Sequence, residues 1–358
     1  MTSYLADSVW WDGRLRAPIP LPDISEMSPR RLPGTVLPGL IDAHVHSGLV
    51  DLATVRAGGI AGVWDLGSVP AAVAELASAA PARKLPTIRF AGPFLIAPGG
   101  YPSDRSWAAP GSWRAVTSPA DGGEAVAAAH ALGAGLIKIT AHAGGPRLDH
   151  ATMTAIADDA HRLGLEVVVH AEGPGTVRAA YEAGADLLAH TPWTEPLDPG
   201  LARFCAERMR WISTLDIHGW GTETPDRVTA VGNLRLFREY GGRVRYGTDL
   251  GNGPLIPGVN PREIRALQAA GLSPDDILTA MTGPDLTWPP AKTGPPAMTG
   301  PAAMSGPAAV TGPAAVSGPA AVTGPGLTWV PGGLDLDPTR FADSLATARV
   351  LDDSVRPR

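Results

Sequence analysis

The chain has 358 residues, of which 44% are hydrophobic and 18% charged, and a formal net charge of −6. That length suits one large α/β domain with an appendage, and the acidic balance removes the basic surface a nucleic-acid partner requires. A single cysteine, Cys205, excludes an internal disulfide framework and fits a reducing compartment; it falls in a helical pattern and reads as structural. The opening Met1-Thr2-Ser3-Tyr4-Leu5-Ala6-Asp7 lacks a basic stretch ahead of an apolar core, and no apolar run reaches membrane-spanning length. A cytoplasmic protein without nucleic-acid or membrane partners is expected, and assembly as a homo-oligomer stays open.

Residues 1–36 begin with Ser8-Val9-Trp10-Trp11-Asp12-Gly13-Arg14-Leu15, a hairpin pattern with its turn at Asp12-Gly13. From Thr35 onward, short β-branched runs alternate with Ala-rich helical patterns, which predicts βα units around a parallel sheet. Strands are expected at 36–43, 60–66, 87–95, 136–141, 166–171, 186–191, 211–217 and 243–248. Helices are expected at 69–79, 123–131, 149–163, 176–183, 199–209, 225–240, 261–270 and 274–281; an Asp149 cap and a Gly164 stop frame the clearest of them. Eight such units make a (β/α)8 barrel over residues 37–285, whose site belongs at the C-terminal ends of the strands.

The excess of glycine and proline collects in residues 286–325, where six-residue units such as Ser305-Gly306-Pro307-Ala308-Ala309-Val310 recur from Thr293 to Val322. Each proline removes a backbone donor and each glycine carries a large ordering entropy, so an extended insert is expected rather than a helix or ladder. A left-handed β-helix would require a large aliphatic at a fixed inward position. The flanks echo each other, Met281-Thr282-Gly283-Pro284-Asp285-Leu286-Thr287-Trp288 against Val322-Thr323-Gly324-Pro325-Gly326-Leu327-Thr328-Trp329, as after an expansion within one ancestral segment. Residues 326–358 are expected to complete a small β domain with residues 1–36.

Six of the nine histidines fall at or just beyond predicted strand ends: His44 and His46 after the first, His142 after the fourth, His170, His190 and His218 after the fifth to seventh. His130, His150 and His161 fall in helices or their caps and read as solvated or capping groups. Along a strand, residues i and i+2 share a face, so His44 and His46 point the same way. With Asp249 after the eighth strand they can hold one divalent ion, and His170 with His190 a second. Lys138, in Leu136-Ile137-Lys138-Ile139-Thr140, sits among apolar neighbours that favour its neutral amine. Such an amine can take up CO2 to give an anionic carbamate able to bridge two ions; the competing reading is an ammonium paired with a buried carboxylate or a substrate phosphate.

The chain resembles the metal-dependent amidohydrolase superfamily. The resemblance is carried by Pro38-Gly39-Leu40-Ile41-Asp42-Ala43-His44-Val45-His46, Ile137-Lys138-Ile139, Val168-Val169-His170-Ala171-Glu172-Gly173, Leu188-Ala189-His190 and Tyr246-Gly247-Thr248-Asp249, within about residues 35–285. It is most similar to the branch of imidazolonepropionase and the Xaa-Pro dipeptidases. That branch implies zinc, one or two ions, an N6-carboxylated Lys138 and a small sheet built from both termini. The expected activity is hydrolysis of a C–N bond in a small-molecule amide, dipeptide or cyclic amide by a metal-activated hydroxide, with Asp249 moving the proton. Tyr101, His142, Arg147 and His218 are the candidates for holding substrate. Two loops depart from the dipeptidase pattern, Thr140-Ala141-His142-Ala143-Gly144-Gly145 and Pro98-Gly99-Gly100-Tyr101, and bear on substrate identity. The rivals are a mononuclear deaminase with Lys138 unmodified, and a barrel without catalysis that serves as a binding or scaffold protein.

Overall fold

The computed structural model describes residues 2–11, 13–17, 30–283, 326–351 and 355–357. Asp12 of the expected turn and the expected hexapeptide insert lie outside the described residues. Strand β1 (Thr2–Trp11) runs antiparallel to β2 (Arg14–Arg16), with Trp10 opposite Leu15 and Gly13 at a φ of 72° that suits a residue without Cβ. Strand β3 (Arg30–Pro38) pairs in parallel with β1.

The run expected as one strand over 36–43 is two strands in two sheets. β3 ends at Pro38, and β4 (Leu40–Val45) starts the barrel. Pro38 lies opposite Leu327 and Gly39 N donates to Gly326 O at 2.8 Å, the last pairings of the small sheet, whereas Leu40 lies opposite Ile60 of the barrel, so the chain changes sheets between Gly39 and Leu40.

The barrel continues through β5 (Ile60–Asp65), β6 (Thr87–Phe90), β7 (Phe94–Ile96), β8 (Trp113–Ala115), β9 (Leu136–His142), β10 (Glu166–Glu172), β11 (Leu187–Leu188), β12 (Arg210–Ile212) and β13 (Arg243–Arg245). Parallel ladders join β4 to β5 to β6, and β7 to β9 and on in order to β13, with β8 on the outer edge of β7. β6 and β7 are successive pieces of the third barrel strand, broken at Gly92, which sits at a φ of 75°. On the other side, Ala43 N donates to Tyr246 O at 2.9 Å and His46 N to Leu250 O at 2.8 Å, which ties the first barrel strand to the chain beyond β13. The buried Asp42 carboxylate fastens the same seam, accepting from His44 N and Thr248 N at 3.0 Å each and from Thr248 Oγ1 at 2.6 Å. The architecture is thus a (β/α)8 barrel. The expected strand over 211–217 stops at Ile212, because Thr214 takes a left-handed φ of 45° and Asp216–His218 form a 3-10 turn.

Period two sets the layers inside the barrel. β9 and β10 pair Leu136 with Glu166, Lys138 with Val168, Thr140 with His170 and His142 with Glu172, all on one face. Ile41, Trp64, Leu136, Val168, Leu187 and Ile212 pack together as an apolar layer across the middle. Beneath it, Arg89 lies 4.6 Å from the Trp64 ring and 2.8 Å from Glu166 Oε2, closing the N-terminal end. Lys138 and His170 come one step above the apolar layer and His142 and Glu172 at the rim. Outside, the helices bury an apolar stripe on the strands; Asp149 caps the helix His150–Arg162 by accepting from Thr152 N. Cys205 is fully buried in the helix Pro199–Arg208, where burial pushes its thiol up to about 12.

Strands β14 (Leu327–Pro331), β15 (Arg349–Leu351) and β16 (Val355–Pro357) complete the small sheet in the order β15-β14-β3-β1-β16. Both ends of the chain therefore build it. Trp10 Nε1 donates to Asp275 Oδ1 at 3.1 Å and joins it to the helix Pro274–Thr282. The helices Leu52–Ala57 and Pro338–Leu345, and the strand β8, were not anticipated from the sequence, being short elements of six, eight and three residues. Among the described residues no helix is long and apolar enough to cross a membrane.

Candidate active site

His44 lies on β4 and His46 just past its end. His44 Nδ1 is 2.8 Å from Ala189 O and His46 Nδ1 is 3.2 Å from Gly67 O. A ring nitrogen facing a carbonyl carries the proton, which leaves Nε2 of each ring as a lone pair. Both Nε2 atoms face one oxygen, Asp249 Oδ1, at 3.0 and 3.2 Å. Two lone pairs and an anionic oxygen converging in a buried space repel one another unless a cation or proton lies among them, so the donor set fits a divalent ion. Asp249 holds its place at a φ of 59°, a strained conformation for a residue with a side chain, and its Oδ2 accepts from Asn252 Nδ2 at 2.8 Å. Burial opposes ionisation of Asp249, but the facing His44 and His46 outweigh it and hold the carboxyl well below its usual range. Burial likewise holds the imidazole of His44 well below its ordinary value, favouring the neutral ring a metal needs.

His190 follows β11. Its Nδ1 lies 2.9 Å from Thr214 Oγ1, and its ring centroid is 4.7 Å from that of His44 and 4.9 Å from that of His170. It therefore sits between the two groups of donors, and burial keeps it neutral as well. His170, on β10, donates from Nε2 to Glu172 Oε2 at 2.9 Å, which leaves Nδ1 as its lone pair. His142 Nδ1 lies 3.0 Å from the same Oε2, off the hydrogen-bond axis. His142, His170 and Glu172 form a second set of donors close enough to share an ion.

Lys138 is 1% exposed. Among the described residues its Nζ forms no ion pair or hydrogen bond, and it stands 5.9 Å from the Phe94 ring centroid. Burial pushes its amine down to about 7, with Asp249 and Asp65 partly offsetting. The environment is one that favours the neutral amine, and the carboxylate partner of the competing reading is missing among the described residues.

The four expected substrate contacts divide. Tyr101 stacks on His170 at 4.9 Å and lies 5.3 Å from His142. His218, on the turn Asp216–His218 rather than at a strand end, stacks 4.8 Å from Trp193 and has a buried Nε2 without a hydrogen-bond partner among the described residues; burial brings it down to about 4. His142 joins the Glu172 group. Arg147 is exposed, and no ring contact, ion pair or hydrogen bond joins it to the cluster among the described residues. Five residues that sequence reasoning did not assign belong to the site: Glu172, Thr214, Asn252, Trp107, whose ring is 5.9 Å from His46, and Trp193, whose ring is 5.5 Å from His190. Glu172 stands two residues after His170 on the same face, a signal that period two supplies. Thr214 and Asn252 act from turns whose conformation has no pattern.

Solved structures share this course of the chain. A Xaa-Pro dipeptidase with bound methionine aligns over 78% of this chain and 86% of its own, with a TM-score of 0.63 and 20% identity. Ochratoxinase from A. niger covers 79% and 83% at a TM-score of 0.64 and 18% identity, and a candidate prolidase from Bifidobacterium longum 76% and 75% at 0.58 and 27%. An amidohydrolase covers 78% and 85% at a TM-score of 0.60 and 20% identity. The chain has the amidohydrolase fold. No family model and no curated protein matches the sequence. The imidazoles, Lys138 and Asp249 gather at the C-terminal ends of the barrel strands, the end at which sites on a (β/α)8 barrel are built.

Proposed function

We propose that the protein is a metal-dependent hydrolase that cleaves the C–N bond of an amide, a dipeptide or a cyclic amide. One observation carries the reading: His44, His46, Lys138, His170, His190 and Asp249, delivered by five barrel strands, meet at one buried strand-end surface. The likeness to a dipeptidase and a candidate prolidase supports the bond type. His44, His46 and Asp249 would hold one divalent ion and His170 with His190 a second, zinc being the natural choice for a nitrogen-rich set. The neutral Lys138 amine would add to CO2, its N–C bond forming as a proton passes from nitrogen to solvent water, and the carbamate would offer two oxygens that share one negative charge.

When bound, the metal polarises the scissile carbonyl and lowers the pKa of a nearby water to about 7. Asp249, kept ionised and steadied by Asn252, accepts the proton of the attacking water and returns it to the departing nitrogen. Tyr101, Trp107 and Trp193 wall the cluster, shed water and orient the substrate. The test is a screen of N-acyl amino acids, dipeptides and cyclic amides against zinc- and manganese-loaded protein, with Asp249→Asn as control. Turnover that drops by at least about 100-fold in the variant supports the reading; turnover indifferent to metal and to Asp249, or none with any substrate, contradicts it.

A further inference from the structure

We propose that the substrate carries a neutral apolar group, about the size of a benzyl group, a short link from the scissile bond, and that a side pocket beside His46 receives it. The inference rests on the hydrolase reading for the chemistry and on a separate cavity for the specificity. That cavity, of about 250 Å³, is bounded by His46 and Trp107 and runs under the loop that follows β4. Because His46 Nε2 faces Asp249 at 3.2 Å, the pocket shares a wall with the candidate metal centre. A group lodged in it lies against the same histidine that faces Asp249.

Leu49, Val69, Val73 and Leu76 make the pocket's wall apolar, the last two from the helix Pro70–Ala79. Among the described residues no Lys, Arg, Asp or Glu lines it, and His46 is the one ionisable side chain. A carboxylate or ammonium entering it would lose its water and gain no partner, whereas an apolar group gains by leaving water. One polar atom is free to contribute. Ser112 is 5% exposed and its Oγ has no hydrogen-bond partner among the described residues, while its backbone is fixed by bonds at 2.9 Å to Phe94 N and Ala109 O. A buried hydroxyl in that state is rare in a finished structure and can donate to a ligand. On size, an apolar cavity of about 150 Å³ takes benzene, so this one accommodates a benzene-sized ring with its linking methylene.

The experiment uses the full-length, metal-loaded chain. Binding of phenylacetamide, acetamide and succinamate is measured by calorimetry, together with kcat/KM for amides bearing the same three groups. Phenylacetamide is expected to bind at least about tenfold more tightly than acetamide, and succinamate no better than acetamide. Ala72 lines the pocket from an exposed helix position, so Ala72→Trp fills the space at a site that tolerates bulk, and the tenfold preference should vanish. Leu76→Trp is the second filling variant, and circular dichroism checks that both are folded. Equal affinities in the wild type, or a preference that survives both variants, overturns the proposal. A preference abolished by Ala72→Trp in a protein that hydrolyses nothing keeps the pocket and removes the hydrolase reading; hydrolysis indifferent to group size does the reverse.

Discussion

His190 Nδ1 and Thr214 Oγ1 lie 2.9 Å apart, and Thr214 reaches that position only by taking a φ of 45°. A β-branched residue seldom adopts that conformation, and here the backbone bond from Thr214 N to Gly247 O at 2.9 Å holds it there. The hydroxyl accepts the Nδ1 proton, which fixes the tautomer and aims Nε2 into the cluster. Thr214→Val keeps the shape and removes the acceptor, and should weaken metal binding by about 10- to 100-fold, whereas Thr214→Ser should retain it. Competition with a chelator of known affinity reads the difference.

Lys138 gives two linked outcomes. Its folded amine value is depressed, from 10.5 to about 7, so in metal-free protein it contributes stability that is present above 10.5 and lost as pH falls through about 7. Each pH unit across that window is worth at most about 1.4 kcal/mol. Lys138→Met should remove this part of the pH dependence and leave the metal-free protein more stable at pH 7, since a thioether pays no desolvation penalty there. The same variant should lose hydrolysis, and wild-type protein prepared with carbon-13 bicarbonate should show a carbamate carbon signal that Lys138→Met lacks.

Asp65 supports His46 from below. Its buried carboxylate accepts from Ser47 N at 2.9 Å, Gly67 N at 3.1 Å, Ser68 Oγ at 2.7 Å and Ser47 Oγ, and Gly67 O in turn faces His46 Nδ1. Asp65→Ala leaves these donors unpaired in a dry site, so urea unfolding should register a loss of about 2–4 kcal/mol. Metal affinity should fall with it, because the loop that orients His46 loses its anchor.

Much of the site was legible because two periods govern it. Period two along β9 and β10 places Lys138, His142, His170 and Glu172 on one face, and the alternation of strand and helix puts the ends of β4, β10 and β11 at one end of the barrel. What the sequence withheld belongs to the turns. The change of sheet at Pro38-Gly39, the left-handed Thr214 and Asp249 and the 3-10 turn at His218 depend on contacts between segments far apart in the chain. Trp107 and Trp193 stand in no motif, and only the fold brings their rings against His46 and His190.

The hexapeptide segment contributes none of the candidate site residues. Deleting residues 293–322 should leave both hydrolysis and the unfolding midpoint unchanged, as measured on the purified deletion variant beside the full chain. Loss of soluble, active protein would give the segment a structural role.

Metal content is the sharpest test of the centre built by His44, His46 and Asp249. Full-length protein, loaded with zinc or manganese and freed of excess by dialysis, is assayed by elemental mass spectrometry beside the double variant H44A/H46A. The wild type is expected to retain at least about one ion per chain and the double variant substantially less. Wild-type protein that keeps no divalent metal, or a double variant that keeps as much as wild type, would contradict it.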